Sequence, residues 1–395
     1  VAAGAATATV VKCGQVVTKS ITLANSLSNC HGNGLVIGAN NLTIDLAGHS
    51  ISGVNTRGTE GIADDGHPGA HIQNGTIQRF FLNGVGLRGA PHSVVSNMTI
   101  QGIGAGNVEG DASAGVLVKN SAGTSVANNK ISNNVVSFQS DGVDVLSSPG
   151  TTVRGNVLAA NSWDGMVVLF SPDSIVSANT VQGNKNQGLE LNGNSDRSVV
   201  SGNFAGNNAV NGLTIGASSK VRIEGNFLKG NGENGLFFFD LNGSVVRNNQ
   251  AGGNAVGIAL ERGQFGSANN QLLNNQTNRN RFAGVIVEGA DHNLLQGNTS
   301  DANQGPPGEG GGFIIAAAKA NILRANVAIG NLDVGIGFFE DTPGDAKGNV
   351  LIGNFVTNNH AHGIDAVAGT IDGGGNIARG NTPPPQCVGV TCKPA

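Results

Sequence analysis

The chain has 395 residues, among them 63 Gly and 51 Asn, with 12% charged residues, 4% aromatics and no Tyr. Its net charge of −4, without a basic stripe or a run of like charge, argues against nucleic acid and against docking on anionic lipid. No stretch approaches about 18 consecutive apolar residues, so no membrane span is expected.

Length alone would suggest two or three domains, but a chain that repeats escapes that rule. Gly plus Asn at this level reads either as low-complexity disorder or as a solenoid whose tight turns need left-handed backbone. The placing of the apolar residues decides between them.

Residues 1–33 depart from any repeat. Val10-Val11, Val16-Val17 and Ile21-Thr22-Leu23 read as strands of an N-terminal cap. Such a cap covers the open edge that a solenoid would leave to template aggregation. From residue 34 a Gly-apolar-x-apolar signature recurs. Early copies lie near Gly34, Gly61 and Gly84, and Gly115-Val116-Leu117-Val118 follows. From Gly142 to Gly257 the steps are 23, 23, 24, 23 and 22 residues. Later copies begin at Gly284, Gly312, Gly335 and Gly363.

Pairs of Asn five residues apart follow each signature: Asn129/Asn134, Asn156/Asn161, Asn179/Asn184, Asn203/Asn208, Asn226/Asn231 and Asn249/Asn254. They continue as Asn270/Asn275, Asn298/Asn303, Asn326/Asn331, Asn349/Asn354 and Asn376/Asn381. Disorder has no reason to keep such a register. Three residues before the first Asn stand Val153, Val176, Val200, Ile223 and Val246. Short alternating strands separated by Gly/Asn turns follow from this pattern. A repeat of about 23 residues with three short strands is one coil of a parallel β-helix. The expectation is an all-β chain: a single solenoid of about 14 coils over residues 34–381, with Asn ladders at its corners. Residues 382–395 form a disulfide-stapled tail.

Four Cys permit three connectivities. Sequence proximity favours Cys13–Cys30 and Cys387–Cys392, because the two pairs stand at opposite ends of a rod about 65 Å long. The same separation excludes a zinc site from these four. Two staples imply an oxidising compartment. The chain begins Val1-Ala2-Ala3, without Met or a signal peptide, which reads as a mature secreted protein.

Chemistry on a β-helix belongs to outward positions. The residue two after the signature Gly points out, as does the one four after, and the residue before it stands at the strand entrance. These columns hold Lys119, then Asp141 and Asp144, then Asp164, then Gln187, Glu190 and Asn192. Trp163, the only Trp, precedes Asp164, and Phe237 and Phe239 lie further along. Asp141 and Asp164 share a column one strand spacing apart, about 5 Å. Like charges that close do not both ionise easily, so one pKa should rise, as a general acid requires. Pairs two coils apart, such as Asp144 and Glu190, stand about 9.6 Å apart, near the inverting range of glycosidases. Asp141, Asp144, Asp164 and Glu190 are the catalytic candidates; Lys119, Trp163, Phe237 and Phe239 are the substrate-binding ones. A plainer reading makes the same acids turn caps and solvated surface. Asp64-Asp65-Gly66-His67-Pro68-Gly69-Ala70-His71 has Asp/His spacing that a metal could use, but a polar loop is the simpler reading. Gln304-Gly305-Pro306-Pro307-Gly308-Glu309-Gly310-Gly311 extends one turn into a loop.

The repeat resembles the right-handed parallel β-helix superfamily of pectate lyases and polygalacturonases. The opening Cys13-Gly14-Gln15 through Leu42-Thr43-Ile44-Asp45-Leu46-Ala47-Gly48-His49 looks like the start of secreted bacterial β-helix repeat proteins. Right-handedness comes from this resemblance and from the bias of parallel crossovers. Asp141-Gly142-Val143-Asp144 followed by Asp164 resembles part of the polygalacturonase pattern, but Gly165 replaces that family's second Asp and Gln187-Gly188-Leu189 its Gly-His-Gly. Pectate lyases pair a Ca²⁺ cluster of acids with an Arg base. The acids here could hold Ca²⁺, the one ion kept open beside an expectation of no cofactor, and no Arg stands in the right column. Alginate epimerases of this fold rely on a Tyr. The resemblance implies a secreted protein that binds or degrades a polysaccharide, as hydrolase or lyase. The alternative is a non-catalytic rod of the cell surface, matrix or a filament, with self-association by end or side packing left open.

Overall fold

The computed structural model describes residues 8–104, 113–134, 140–306, 308 and 310–393. Val1-Ala2-Ala3, and Pro307 and Glu309 of the extended turn, lie outside the described residues. The chain divides into two compact units, Val1–Ser198 and Val199–Ala395. Both are parallel β-solenoids, and no helix occurs among the described residues.

Each full coil contributes three strands. Two short ones, such as Ser125–Ala127 and Lys130–Ser132, join one sheet; a longer one, such as Ser140–Leu146, joins the other. Among the described residues the strands of this second sheet number eight in each unit, against about fourteen coils expected for the whole chain. Gln15–Val17 pairs in parallel with Leu35–Ile37, so the solenoid pairing begins within the first 33 residues. Cys387–Val388 pairs with Ile364–Asp365. Cys13 bonds to Cys30 and Cys387 to Cys392, with Cα atoms 5.4 and 6.1 Å apart.

The core is a stack of identical inward positions. In the first unit Val118 pairs in register with Val145, Val145 with Val168, and Val168 with Leu191. All four are fully buried. The signature glycines leave no room for a side chain: a Cβ at Gly165 would sit 2.6 Å from the Gly188 carbonyl oxygen. No side chain fits there, which is the physical reason for glycine at 165.

The ladder Asn side chains are buried and satisfied. Asn156 Nδ2 donates to Asn179 Oδ1 at 3.0 Å and to the Val126 carbonyl at 2.9 Å, while Asn179 Oδ1 also accepts from the Asn156 backbone N–H. A buried amide left unpaired would cost about 1–3 kcal/mol, so the ladder holds its register strongly. The second unit adds a third ladder. Asn270 donates to Asn293 and Asn293 to Asn321, and the Asn321 backbone N–H donates to Asn349 Oδ1. Asn275 therefore belongs with Asn298, and Asn354 with Asn376. Read as first members of pairs, Asn270 and Asn349 were placed one corner out of step. The spacing of five continues to Asn280 and Asn359, which makes triplets.

Candidate active site

Asp141, Asp144, Trp163, Asp164 and Glu190 line one pocket of about 270 Å³ in the first unit. Leu146, Val167 and Leu169 complete its wall. The solenoid register assembles it. Asp144 pairs with Val167 and Val167 with Glu190, so the two acids flank Val167 in one outward row. Leu146 and Leu169 follow in the neighbouring outward row, four residues after each signature Gly.

The acids of this face are not solvated. Asp141, Asp144 and Asp164 are 4%, 2% and 1% exposed. The Asp164 backbone N–H donates to Asp141 Oδ1 at 2.8 Å, and the Gln187 backbone N–H donates to Asp164 Oδ1 at 2.7 Å. Each entrance acid thus caps the next coil, yet capping does not neutralise it. Burial pushes Asp164 up to about 8, and the charge of Asp141 adds to the rise. Burial also raises Asp144 to about 7 and lifts Asp141 well above the carboxylate range. A hydrogen bond between the two carboxyls favours the proton on Asp141 and the charge on Asp144. Asp144 Oδ1 has no hydrogen-bond partner. Glu190 is half-buried and held by amides: Asn192 Nδ2 donates to Oε1 at 3.1 Å, and Gln187 Nε2 to Oε2 at 3.5 Å.

A neighbour in the same column shows what a structural acid looks like here. The column runs Glu60, Asn83, Ala114, Asp141. Glu60 is as buried as Asp141, but Arg88 Nη1 donates to its Oε2 at 3.0 Å and Asn83 Nδ2 to its Oε1 at 2.5 Å. Among the described residues no Lys or Arg lines the pocket, so its acids have no cation of that kind.

Lys119 is exposed and pairs in register with Leu146, at the end of the row that walls the pocket rather than on the wall itself. Phe237 and Phe239 lie in the second unit, their rings 5.7 Å apart. Sequence reasoning missed the apolar wall and Asn186, whose side chain hydrogen-bonds Asp164. The wall was legible from the column rule, since Leu146 and Leu169 occupy an outward position. Asn186 carries no periodic signal. Elsewhere, Asp64 Oδ1 stands 3.1 Å from His67 Nδ1. Among the described residues no three His, Cys, Asp or Glu side chains are placed to hold a metal ion.

The coils, their inward Val/Leu columns and their Asn ladders make each unit a parallel β-helix of repeated coils. Two families match along it: "Right handed beta helix region" over residues 114–267, and "Periplasmic copper-binding protein (NosD)" over residues 264–376. No curated protein matches. Among solved structures, the periplasmic alginate epimerase AlgG is similar at 16% identity and a TM-score of 0.50, over 87% of this chain and 75% of that one. The A-module of mannuronan C-5 epimerase AlgE4 of Azotobacter vinelandii is 13% identical, with a TM-score of 0.48, over 85% and 88%. A GH87 alpha-1,3-glucanase catalytic unit of Streptomyces thermodiastaticus is 16% identical, with a TM-score of 0.40, over 95% and 63%.

Proposed function

We propose that the first unit is a polysaccharide hydrolase working at the Asp141/Asp144/Asp164/Glu190 pocket of an exported protein. The observation that carries the reading is the burial of three carboxyls beside an open, Trp-flanked pocket that no Lys or Arg lines among the described residues. A group near pKa 8 is protonated at neutral pH, so Asp164 is the general acid that protonates the glycosidic oxygen. Glu190, oriented by Asn192 and Gln187, is the base that activates water. Asp164 and Glu190 stand on adjacent coils. Gln187 bridges the two, its backbone N–H on Asp164 and its side-chain amide on Glu190, and a water held between the carboxyls gives inversion. The Asp141–Asp144 pair sets the field that keeps the Asp164 proton in place. The Trp163 ring offers a face on which a sugar can stack.

A pocket of acids and apolar side chains repels a uronate and gives its carboxylate no cation to meet, which favours an uncharged glycan and hydrolysis over elimination. Two disulfides support export to an oxidising compartment. The copper named for the second family is not carried over, because the described residues assemble no metal-holding group.

Reducing-end release from a panel of neutral and uronic polysaccharides tests the reading, with Asp164→Asn as the control and the anomer of the first product read by NMR. Release from a neutral glycan that Asp164→Asn abolishes supports it. Equal release by both proteins, or none from any glycan, overturns it and leaves the non-catalytic rod as the better account.

A further inference from the structure

A second groove lies in the second unit, on the strands Phe227–Lys229, Gln250–Gly252 and Gln276–Asn278. It encloses about 340 Å³ and presents Phe227, Lys229, Gln250, Asn278 and Arg279 over a floor at Gly252. The groove is on the outer side of these strands, because the alternate residues Leu228, Ala251 and Thr277 are each only 1% exposed. Register places Lys229, Gly252 and Asn278 in one row, and Phe227 and Gln250 in the next.

Missing side chains open it. A Cβ at residue 252 would collide with the Asn278 carboxamide oxygen, so the carboxamide lies over bare backbone. The turn position after each strand is left-handed, with φ of 69° at Gly230, 69° at Gly253 and 51° at Arg279. The two glycines leave the mouth free, and the third coil supplies a guanidinium at the same place. Phe227 is 43% exposed, and its ring stacks on Phe204 at 5.9 Å, an aromatic platform held from behind. Among the described residues neither Lys229 nor Arg279 forms an ion pair. Arg281 is tied to the rim instead, its Nη2 donating to the Gly232 carbonyl at 2.6 Å.

An exposed ring, two cations without carboxylate partners and two amides make a set with complementary demands. The ring takes the C–H face of a sugar. The amides donate to and accept from hydroxyls. The guanidinium takes a carboxylate or sulfate through paired N–H donors, with the ammonium as a second charge. Neutral glycans would leave both cations unused, and two cations in a chain of net charge −4 are too few for nucleic acid.

We propose that this groove binds an anionic glycan, with one uronate or sulfated sugar seated on Phe227 and its acid group on Lys229 and Arg279. It is a binding site and not a second catalytic one, for no carboxylate lines it. The inference stands apart from the hydrolase reading and holds for a non-catalytic protein as well. In an active protein it anchors the chain to an acidic polymer other than the glycan it cleaves.

Calorimetric titration of the full chain with oligogalacturonate, a sulfated oligosaccharide and cellohexaose tests it. At least one anionic oligomer should bind, and cellohexaose at least about tenfold more weakly. Phe227→Ala, and the double variant Lys229→Ala/Arg279→Ala, should each weaken anionic binding about tenfold or more, which is about 1.4 kcal/mol. Binding should also fall as salt rises. The carboxylate and sulfate arms decide which acid group is preferred. Binding of neither anionic oligomer, equal affinity for cellohexaose, or affinity unchanged in the double variant would overturn the proposal. Phe227→Ala should keep any Asp164-dependent hydrolysis of a short neutral oligosaccharide, so failure here and failure of the hydrolase reading are told apart.

Discussion

The two units fill the same outward columns differently: buried acids gather in the first, and an apolar cluster forms in the second. In the first unit the position before the signature Gly holds Glu60, Asn83, Ala114, Asp141, Asp164 and Gln187. In the second it holds Asn211, Asn234, Val256, Ala283, Gly311, Val334 and His362, of which Val256, Ala283 and Val334 cluster with Ala259 and Ile314 under Phe237, Phe282, Ile286 and Ala361. Two residues after the Gly, Asp144 and Glu190 stand beside Leu117 and Val167 in one unit, whereas Phe237, Ala259, Ile286 and Ile314 follow Thr214 in the other. Backbone and inward columns are alike in both. A coil therefore needs only its inward residues and its ladders, and its outward rows are free to vary. Where that freedom places three poorly solvated acids together, stability alone does not explain them.

The largest effect that would break this contrast is on activity. Asp164→Asn should lower kcat by about 10²–10⁴-fold, the usual contribution of a general acid. Wild-type kcat should fall as pH rises above about 8, where Asp164 loses its proton. A kcat that stays flat to pH 10 would remove Asp164 from that role.

Next in size is a charge moved into the wrong unit. Ala283→Asp puts an unpaired carboxylate into the apolar cluster and should cost about 3 kcal/mol or more in denaturant unfolding. Asp144→Leu should have the opposite sign. It removes a carboxyl with an unpartnered oxygen from a row shared with Leu117 and Val167, so it should stabilise the fold while abolishing activity.

The pH dependence of stability sharpens the contrast further. Asp144 and Asp164 bind protons more tightly folded than unfolded, since their folded values of about 7 and 8 lie above the ordinary 3.8. The native state then holds more protons than the unfolded one between about pH 4 and pH 8, and stability falls as pH rises through that window. A loss of a few kcal/mol is expected, and Asp164→Asn should flatten it. Urea titrations at pH 4, 6 and 8.5 measure this, and stability that rises with pH would refute the burial account.

The smallest effect should be shared by both units. Asn161→Ala and Asn303→Ala each break one ladder rung and strand a neighbouring buried amide, at about 1–3 kcal/mol apiece. A cost confined to one unit would show that the ladders are not equivalent.

Much of this architecture was legible beforehand, for a definite reason. Val153, Val176 and Val200 recur because each inward residue meets the same residue in the coil before and the coil after, so one local requirement is written many times. The disulfide pairs were legible from proximity alone. The ladder register was less so: Asn270 and Asn275 share a five-residue spacing with every other pair, and only the partners Asn293 and Asn298 show that 270 opens a third column.

Of the site, the sequence alone determined which residues share a column, and so that Asp141, Asp144, Asp164 and Glu190 would meet. Tertiary structure decided their state. Whether an outward acid is solvated or sealed depends on the bulk of side chains in adjacent rows, here Leu146, Leu169 and Trp163, and on whether a cation such as Arg88 reaches it. The groove at Phe227 is still more a product of packing, because it exists through the side chains that Gly252 and Gly253 lack. Periodicity records what every coil must repeat, while burial, charge state and open space arise from the differences between neighbouring coils.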